Sequence, residues 1–269
     1  MVIILIFILG LFVGSFLNVL ADRLPREESV IQGRSHCEKC KKNLRWFDLI
    51  PLLSFIFLKG RCRYCSTSLS LYYPIVEFTT GILFVITFIF ISANFKFLFF
   101  NFYSILNFKF LIELIYYLFI VSSLIVVFFA DLKYGIIPDK IVFSAIVITF
   151  LYLLTNHSSF IVSHLLSALG ACFFFLLLFL ITRGKGMGFG DVKFAFLMGL
   201  ILGFPNIVVS LYVAFLTGAI VGSILVIWRK KKTFKAAIPF GPFLVLGTLL
   251  ALFWGEIIFP KAIMLMGLH

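Results

Sequence analysis

Charge is scarce in this sequence. Only 13% of its 269 residues are Asp, Glu, Lys or Arg, against about a quarter in a soluble domain, and 62% are hydrophobic. That balance excludes a soluble globular protein. Acidic residues are rarest, with 11 Asp and Glu against 23 Lys and Arg, so any acid inside an apolar stretch is conspicuous. Residues 1 to 20 have no basic leader region and no small-residue cleavage site, which predicts a retained first helix instead of a removed signal peptide. No internal repeat is visible, and no GxGxxG nucleotide-binding fingerprint occurs. Cysteines number only five, but four of them fall in one short polar segment.

What is present is a succession of apolar stretches long enough to cross about 30 Å of hydrocarbon. The pattern predicts an all-α polytopic membrane protein with eight spans, near 1–20, 72–92, 111–130, 137–155, 160–182, 190–204, 207–228 and 238–258. The expected organisation is a first span (1–20), a polar insert (21–71) and a transmembrane domain (72–269). Gly14, Ser15 and Asn18 mark a face of the first helix suited to packing on another helix. The sixth span is short, so it is either a short crossing that begins near Gly190 or a re-entrant hairpin. The stretch Asn94 to Phe110, with seven Phe and one Tyr, suits an interfacial aromatic segment.

The net charge of +12 follows from topology. On one side, the loops hold ten Lys/Arg between Asp22 and Ser70, two in 131–140, three in 183–193 and five in 229–235; the other side holds Lys96, Lys109 and Lys261. Basic loops resist translocation, so 20 against 3 predicts a cytoplasmic polar insert and external termini. No nucleic-acid partner is expected; the bilayer is the principal surrounding.

Within the insert, Cys37-Glu-Lys-Cys40 and Cys62-Arg-Tyr-Cys65 are separated by 21 residues. Each CxxC offers two thiolates from one tight knuckle, and two knuckles complete the tetrahedral four-sulfur site that structural zinc prefers. A redox pair of motifs is the alternative; structural disulfides are disfavoured in a reducing compartment. His36 adjoins the first knuckle without being needed as a ligand, and Cys172, in an apolar helix, reads as packing.

The acids in or beside the cytoplasmic helix ends are Asp22, Glu77, Asp131, Asp139 and Asp191. Asp131 and Asp191, 60 positions apart in sequence, fall at the same depth and on the same leaflet in the predicted topology. Two carboxyls brought within a few ångströms do not both ionise easily. One then holds a proton while the other acts as a base toward water, as an aspartyl peptidase requires. Plainer readings stand beside this one. Asp191 caps the sixth helix, Asp131 lies in a solvated loop, Asp139 after Pro138 starts a helix, and Glu77 either caps the second helix or has a function. Gly188 and Gly190 would give the backbone before Asp191 positive φ and a close approach to a neighbour. Lys193 either favours an ionised Asp191 or snorkels to the interface. His157 and His164 carry no assigned role.

Several segments in order resemble the type IV prepilin leader peptidases: Gly14-Ser-Phe-Leu-Asn-Val19 with Arg23-Leu-Pro25, the paired CxxC insert, and Tyr73-Pro-Ile-Val-Glu77. Asp131 with Ile137-Pro-Asp139, Gly188-Phe-Gly-Asp-Val-Lys193 and Ile238-Pro-Phe-Gly-Pro-Phe243 complete the set. The resemblance implies an inner-membrane aspartyl endopeptidase with Asp131 and Asp191 as its catalytic pair. It would cut the basic leader from prepilins and pseudopilins of pilus and secretion systems, and many members also methylate the new amine with S-adenosylmethionine. A secondary transporter would place its carboxylates near mid-bilayer, and a non-enzymatic scaffold would leave both aspartates idle. On the charge asymmetry alone, a reporter fused after Lys232 is expected to read cytoplasm and one after His269 exterior; the reverse pair of readings contradicts the topology.

Overall fold

The computed structural model describes residues 1–30, 35–37, 39–94, 108–156, 161–184, 186–228 and 239–265. Nearly all of the Asn94–Phe110 aromatic stretch, the basic run 229–235 and His157 lie outside them. Most of the described residues are helical, with no strand among them and two isolated β-bridges in the insert. The helices are α1 Val2–Arg23, α2 Leu53–Phe57, α3 Tyr72–Asn94, α4 Phe108–Tyr134, α5 Asp139–Asn156, α6 Ile161–Thr182, α7 Phe189–Leu202, α8 Asn206–Trp228 and α9 Gly241–Leu265. All but the short α2 coincide with the eight expected stretches. Six are long and apolar enough to cross a membrane, and the remaining two are the shortest of the eight, α5 and α7.

The chain divides into two compact units, Met1–Val126 and Val127–His269. In the first, α1 packs along α3, and small residues set the separation. A Cβ on Gly10 would lie 2.7 Å from the Gly81 Cα, and one on Gly14 would lie 2.8 Å from the Glu77 Cα. Only hydrogen fits, so the Gly10-Leu-Phe-Val-Gly14 face brings backbone onto backbone, the small-xxx-small packing used where lipid removes the hydrophobic drive between helices. Asn18 adds a hydrogen bond from its Nδ2 to the Tyr73 carbonyl (3.2 Å). Toward the other end, Phe88, Ile91, Phe110 and Leu114 form a cluster that Val2 and Ile6 of α1 cover.

In the second unit, α7 is the centre. It touches α5, α6, α8 and α9, and ten of its 14 residues are buried. A helix with this much of its length enclosed by protein is not held to the length that lipid demands of an exposed span. Gly199 sits directly on α6, where a Cβ would come within 2.5 Å of the Ala168 Cα, and Leu153, Ala168 and Leu200 join α5, α6 and α7 in one apolar cluster.

These contacts predict a sharp asymmetry between two glycine-to-alanine changes. Gly10→Ala meets backbone and should cost about 1–3 kcal/mol. Gly170→Ala, with nothing within 4 Å of its Cβ, should cost nothing. Thermal unfolding in detergent distinguishes the two.

Candidate active site and metal centre

Helix α4 does not stop at residue 130. It runs to Tyr134 and closes at Gly135, whose φ of +66° and N–H bond to the Asp131 carbonyl (2.8 Å) form a left-handed terminator. Asp131 is therefore a residue of the last helical turn, 5% exposed, and the solvated-loop alternative does not hold. Its Oδ2 accepts the backbone N–H of Gly241, 110 residues away, at 2.8 Å. Gly241 opens α9, so the carboxylate sits on a helix N-terminus, where free amides and the helix dipole favour negative charge. Glycine is needed there: a Cβ on residue 241 would stand 2.5 Å from Asp131 Oδ2 and 2.9 Å from its Cγ.

Asp191 occupies the first turn of α7 and is 7% exposed. Its Oδ2 accepts the Gly188 N–H at 3.0 Å, while the Asp191 N–H donates to the Gly188 carbonyl at 3.2 Å. The capping expected of this residue is real, and it fixes the carboxyl in place. The expected positive φ is not used: Gly188 has φ −78° and Gly190 is not in the left-handed region. Gly190 instead permits close approach, because a Cβ there would lie 3.2 Å from the Cβ of Ile137, in the loop that follows Asp131. Through these contacts the two aspartates come near enough for the charge of Asp131 to act directly on Asp191. The pair is buried, close, and held by one backbone amide each.

Lys193 pairs with a different acid from the neighbouring Asp191. Its Nζ bonds both carboxylate oxygens of Asp139 (2.8 and 2.7 Å) and lies over the Phe143 and Phe189 rings. It thereby ties the start of α7 to the start of α5, which begins at Asp139 as expected. Glu77, 8% exposed in α3, accepts the Leu52 N–H at 2.9 Å. Asp22 accepts from the Tyr73 hydroxyl at 3.3 Å. His164 bonds the Leu200 carbonyl through Nδ1 at 2.8 Å, which is a packing role.

In the insert, the Sγ atoms of Cys37, Cys40, Cys62 and Cys65 all lie within 4.8 Å of one another. The two knuckles share one backbone plan. Cys37 N–H bonds the Lys42 carbonyl and Lys41 N–H the Cys37 carbonyl; Cys62 N–H bonds the Thr67 carbonyl and Ser66 N–H the Cys62 carbonyl. Lys41 and Ser66 both take positive φ (57° and 54°), and the flanking bridges are His36 to Asn43 and Arg61 to Ser68. This is a structural repeat that the residues outside the cysteines conceal. The Cys37 to Cys65 sulfur separation is 3.8 Å, matching the edge of about 3.8 Å of a tetrahedron with 2.3 Å metal–sulfur bonds. The amide of Cys40 helps bring the Cys37 thiol down to about 6. At Cys65 the amide of Thr67 pulls downward, but burial and the other three sulfurs outweigh it and carry the thiol up to about 11. Four thiolates thus resist sharing the space unless a cation joins them, and the set can hold a metal ion. The fifth cysteine, Cys172, is half-buried in α6 and outside the cluster.

Comparison with known proteins gives this geometry a family. The bacterial peptidase A24 N-terminal domain matches residues 8–91, and the type IV leader peptidase family matches residues 118–223. A prepilin leader peptidase/N-methyltransferase of Legionella pneumophila is 31% identical over 282 residues, covering 93% of this chain and 91% of that protein. The chain belongs to the type IV leader peptidase family. Proteins of the same name from Bacillus subtilis and Pseudomonas aeruginosa are 29% and 28% identical, covering 94% and 89% of their own lengths and 94% and 93% of this chain. No solved structure matches the chain. Family membership agrees with the six helices long and apolar enough to cross a membrane in making this a multi-pass membrane protein. The Gly241 contact with Asp131 has no signal in spacing or periodicity; its trace in the sequence is the Ile238-Pro-Phe-Gly-Pro-Phe243 segment, which the resemblance marks without a role.

The sulfur geometry predicts one metal ion per chain in freshly prepared, reduced protein, released as the pH falls and the thiolates protonate. Elemental analysis checks the count, and Cys62→Ser should lower it; metal-free wild-type protein would contradict the assignment.

Proposed function

We propose that the protein is an intramembrane aspartyl endopeptidase that removes the leader of type IV prepilins and pseudopilins at the cytoplasmic face of the inner membrane. Asp131 and Asp191 are its catalytic pair. The observation that carries this reading is the buried pair itself, two interacting carboxyls each held by one backbone amide. Buried intramembrane acids are costly to keep, and a site that orients two of them by separate helix N-termini matches what peptide hydrolysis needs. The names of the full-length relatives supply the substrate class.

One aspartate works ionised and the other protonated. The ionised carboxylate takes a proton from a water as the water oxygen attacks the scissile carbonyl carbon. The protonated carboxyl gives its proton to the carbonyl oxygen. When the tetrahedral intermediate collapses and the C–N bond breaks, the carboxyl that received the water's proton passes it to the leaving amine, and the other carboxylate takes a proton back from the gem-diol as the new carboxyl group forms, restoring the starting pair. No covalent enzyme intermediate forms. The Gly188 and Gly241 amides keep each carboxyl pointed throughout, and the Lys193–Asp139 pair keeps the first turn of α7 in register with α5.

The metal of the insert is zinc in a structural role, because four sulfurs fill its coordination and leave no position for substrate. The second activity in the relatives' names, N-methylation, implies S-adenosylmethionine as methyl donor to the newly exposed amine. The eight-span topology with external termini puts the polar insert and both aspartates on the cytoplasmic side.

Asp131→Asn and Asp191→Asn keep size and hydrogen bonding but remove ionisation. Each is expected to abolish cleavage of a prepilin by purified, folded enzyme, with the double variant hardly worse than either single one. Glu77→Gln, which retains an acceptor for Leu52, should still cleave. Near-normal cleavage by Asp131→Asn alongside loss in Glu77→Gln would place the chemistry elsewhere.

A further inference from the structure

Within Met1–Val126, the insert carries large apolar side chains that the chain leaves uncovered. Trp46 is 78% exposed, Phe57 79%, Ile56 66% and Leu53 53%. The last three fall at i, i+3 and i+4 of α2 and share one face, while Phe55 turns inward to pack against Gly60. The metal cluster does not account for this face. In water such a concentration of apolar surface marks an interaction site.

Its position along the membrane normal is fixed by one hydrogen bond. The Leu52 N–H, at the start of α2, donates to Glu77. Glu77 lies five residues into α3, about 7–8 Å along its axis from Tyr72, and its side chain leans back toward that end. The start of α2 is therefore level with the first turn of a helix long and apolar enough to cross the membrane. Pro51 beside it is buried, and Leu52 adopts φ +57°, so the approach is built in tightly. Exposed Arg45, Lys59 and Arg61 flank the apolar residues. Apolar side chains with a tryptophan at the hydrocarbon boundary and basic groups beside them match an interfacial segment on anionic lipid.

We propose that residues 46–58 insert their apolar face into the headgroup boundary of the bilayer, with lipid as the occupant and Glu77 as the positioning residue that sets the depth. This role is independent of which residues carry out hydrolysis.

The test uses Trp46 as reporter in the full chain bearing Trp228→Phe and Trp254→Phe. One copy per nanodisc is prepared in phosphatidylcholine and phosphatidylglycerol brominated at shallow or deep acyl positions. Blue-shifted emission, loss of most intensity with shallow bromines, less loss with deep ones and little quenching by aqueous iodide is the expected result. Water-like emission open to iodide and indifferent to bromolipid overturns the proposal. So does shielding that appears only when a prepilin is added, or only with two copies per disc. Glu77→Leu should raise iodide access at unchanged metal content while Glu77→Gln leaves it as it was; an unaltered profile in Glu77→Leu removes Glu77 from the account. A measurement on the unmutated chain guards against misfolding: a phosphatidylglycerol photoactivatable near its headgroup should label residues 46–58, and no label there overturns the proposal.

Discussion

A carboxyl group buried in a membrane protein costs several kcal/mol unless polar groups satisfy it, and lipid supplies none. Asp131 meets that constraint with one contact, the Gly241 N–H at 2.8 Å. Much of the second unit is arranged so that the contact can exist. Helix α4 must carry Asp131 on its last turn and then stop, which Gly135 achieves. Helix α9 must begin at Gly241, because its N-terminus is where an unpaired amide is available and because no side chain fits against the carboxylate.

Asp191 follows the same rule by a local route. The N–H that satisfies it belongs to Gly188, three residues earlier in its own chain, so its orientation is a property of the α7 start. What brings that start to Asp131 is packing: Gly190 against Ile137, and Lys193 on Asp139. The ion pair is partly exposed and contributes little to stability by itself; its value is geometric, fixing one helix end relative to another. In the first unit Glu77 shows a third version, a buried acid satisfied by the Leu52 amide of the insert. Two of the three, Asp131 and Glu77, thus connect segments that lipid alone would let slide.

Much of this was legible in the sequence because lipid imposes simple rules. Helix placement followed from apolar runs, and observed ends fall within a few residues of the expected ones except where α4 and α9 run on to Tyr134 and Leu265. The clustering of four cysteines followed from their spacing. The positions of Asp131 and Asp191 at helix ends were readable as well. The partners were not. The Gly241 bond spans 110 residues, the Leu52 bond to Glu77 spans 25 and the Lys193 pair spans 54, and no periodicity encodes such pairings. Gly188 and Gly190 were visible, but the use of Gly190 for close contact instead of a left-handed turn depended on Ile137. Likewise, the common plan of the two knuckles lies in backbone bonds and in positive φ at Lys41 and Ser66, residues with no resemblance to each other.

The proposed catalytic role of Asp131 depends on Gly241, which lets its carboxyl reach a helix N-terminus. Kinetics of prepilin cleavage by Gly241→Ala, with Gly170→Ala as control, test it most directly. Alanine is the better helix former, so the change should leave the helices folded while displacing the carboxyl. An ångström of misplacement costs about 100-fold in rate, so cleavage should fall by at least that much while the control stays near wild type. A Gly241→Ala enzyme that cleaves at the wild-type rate would contradict the account.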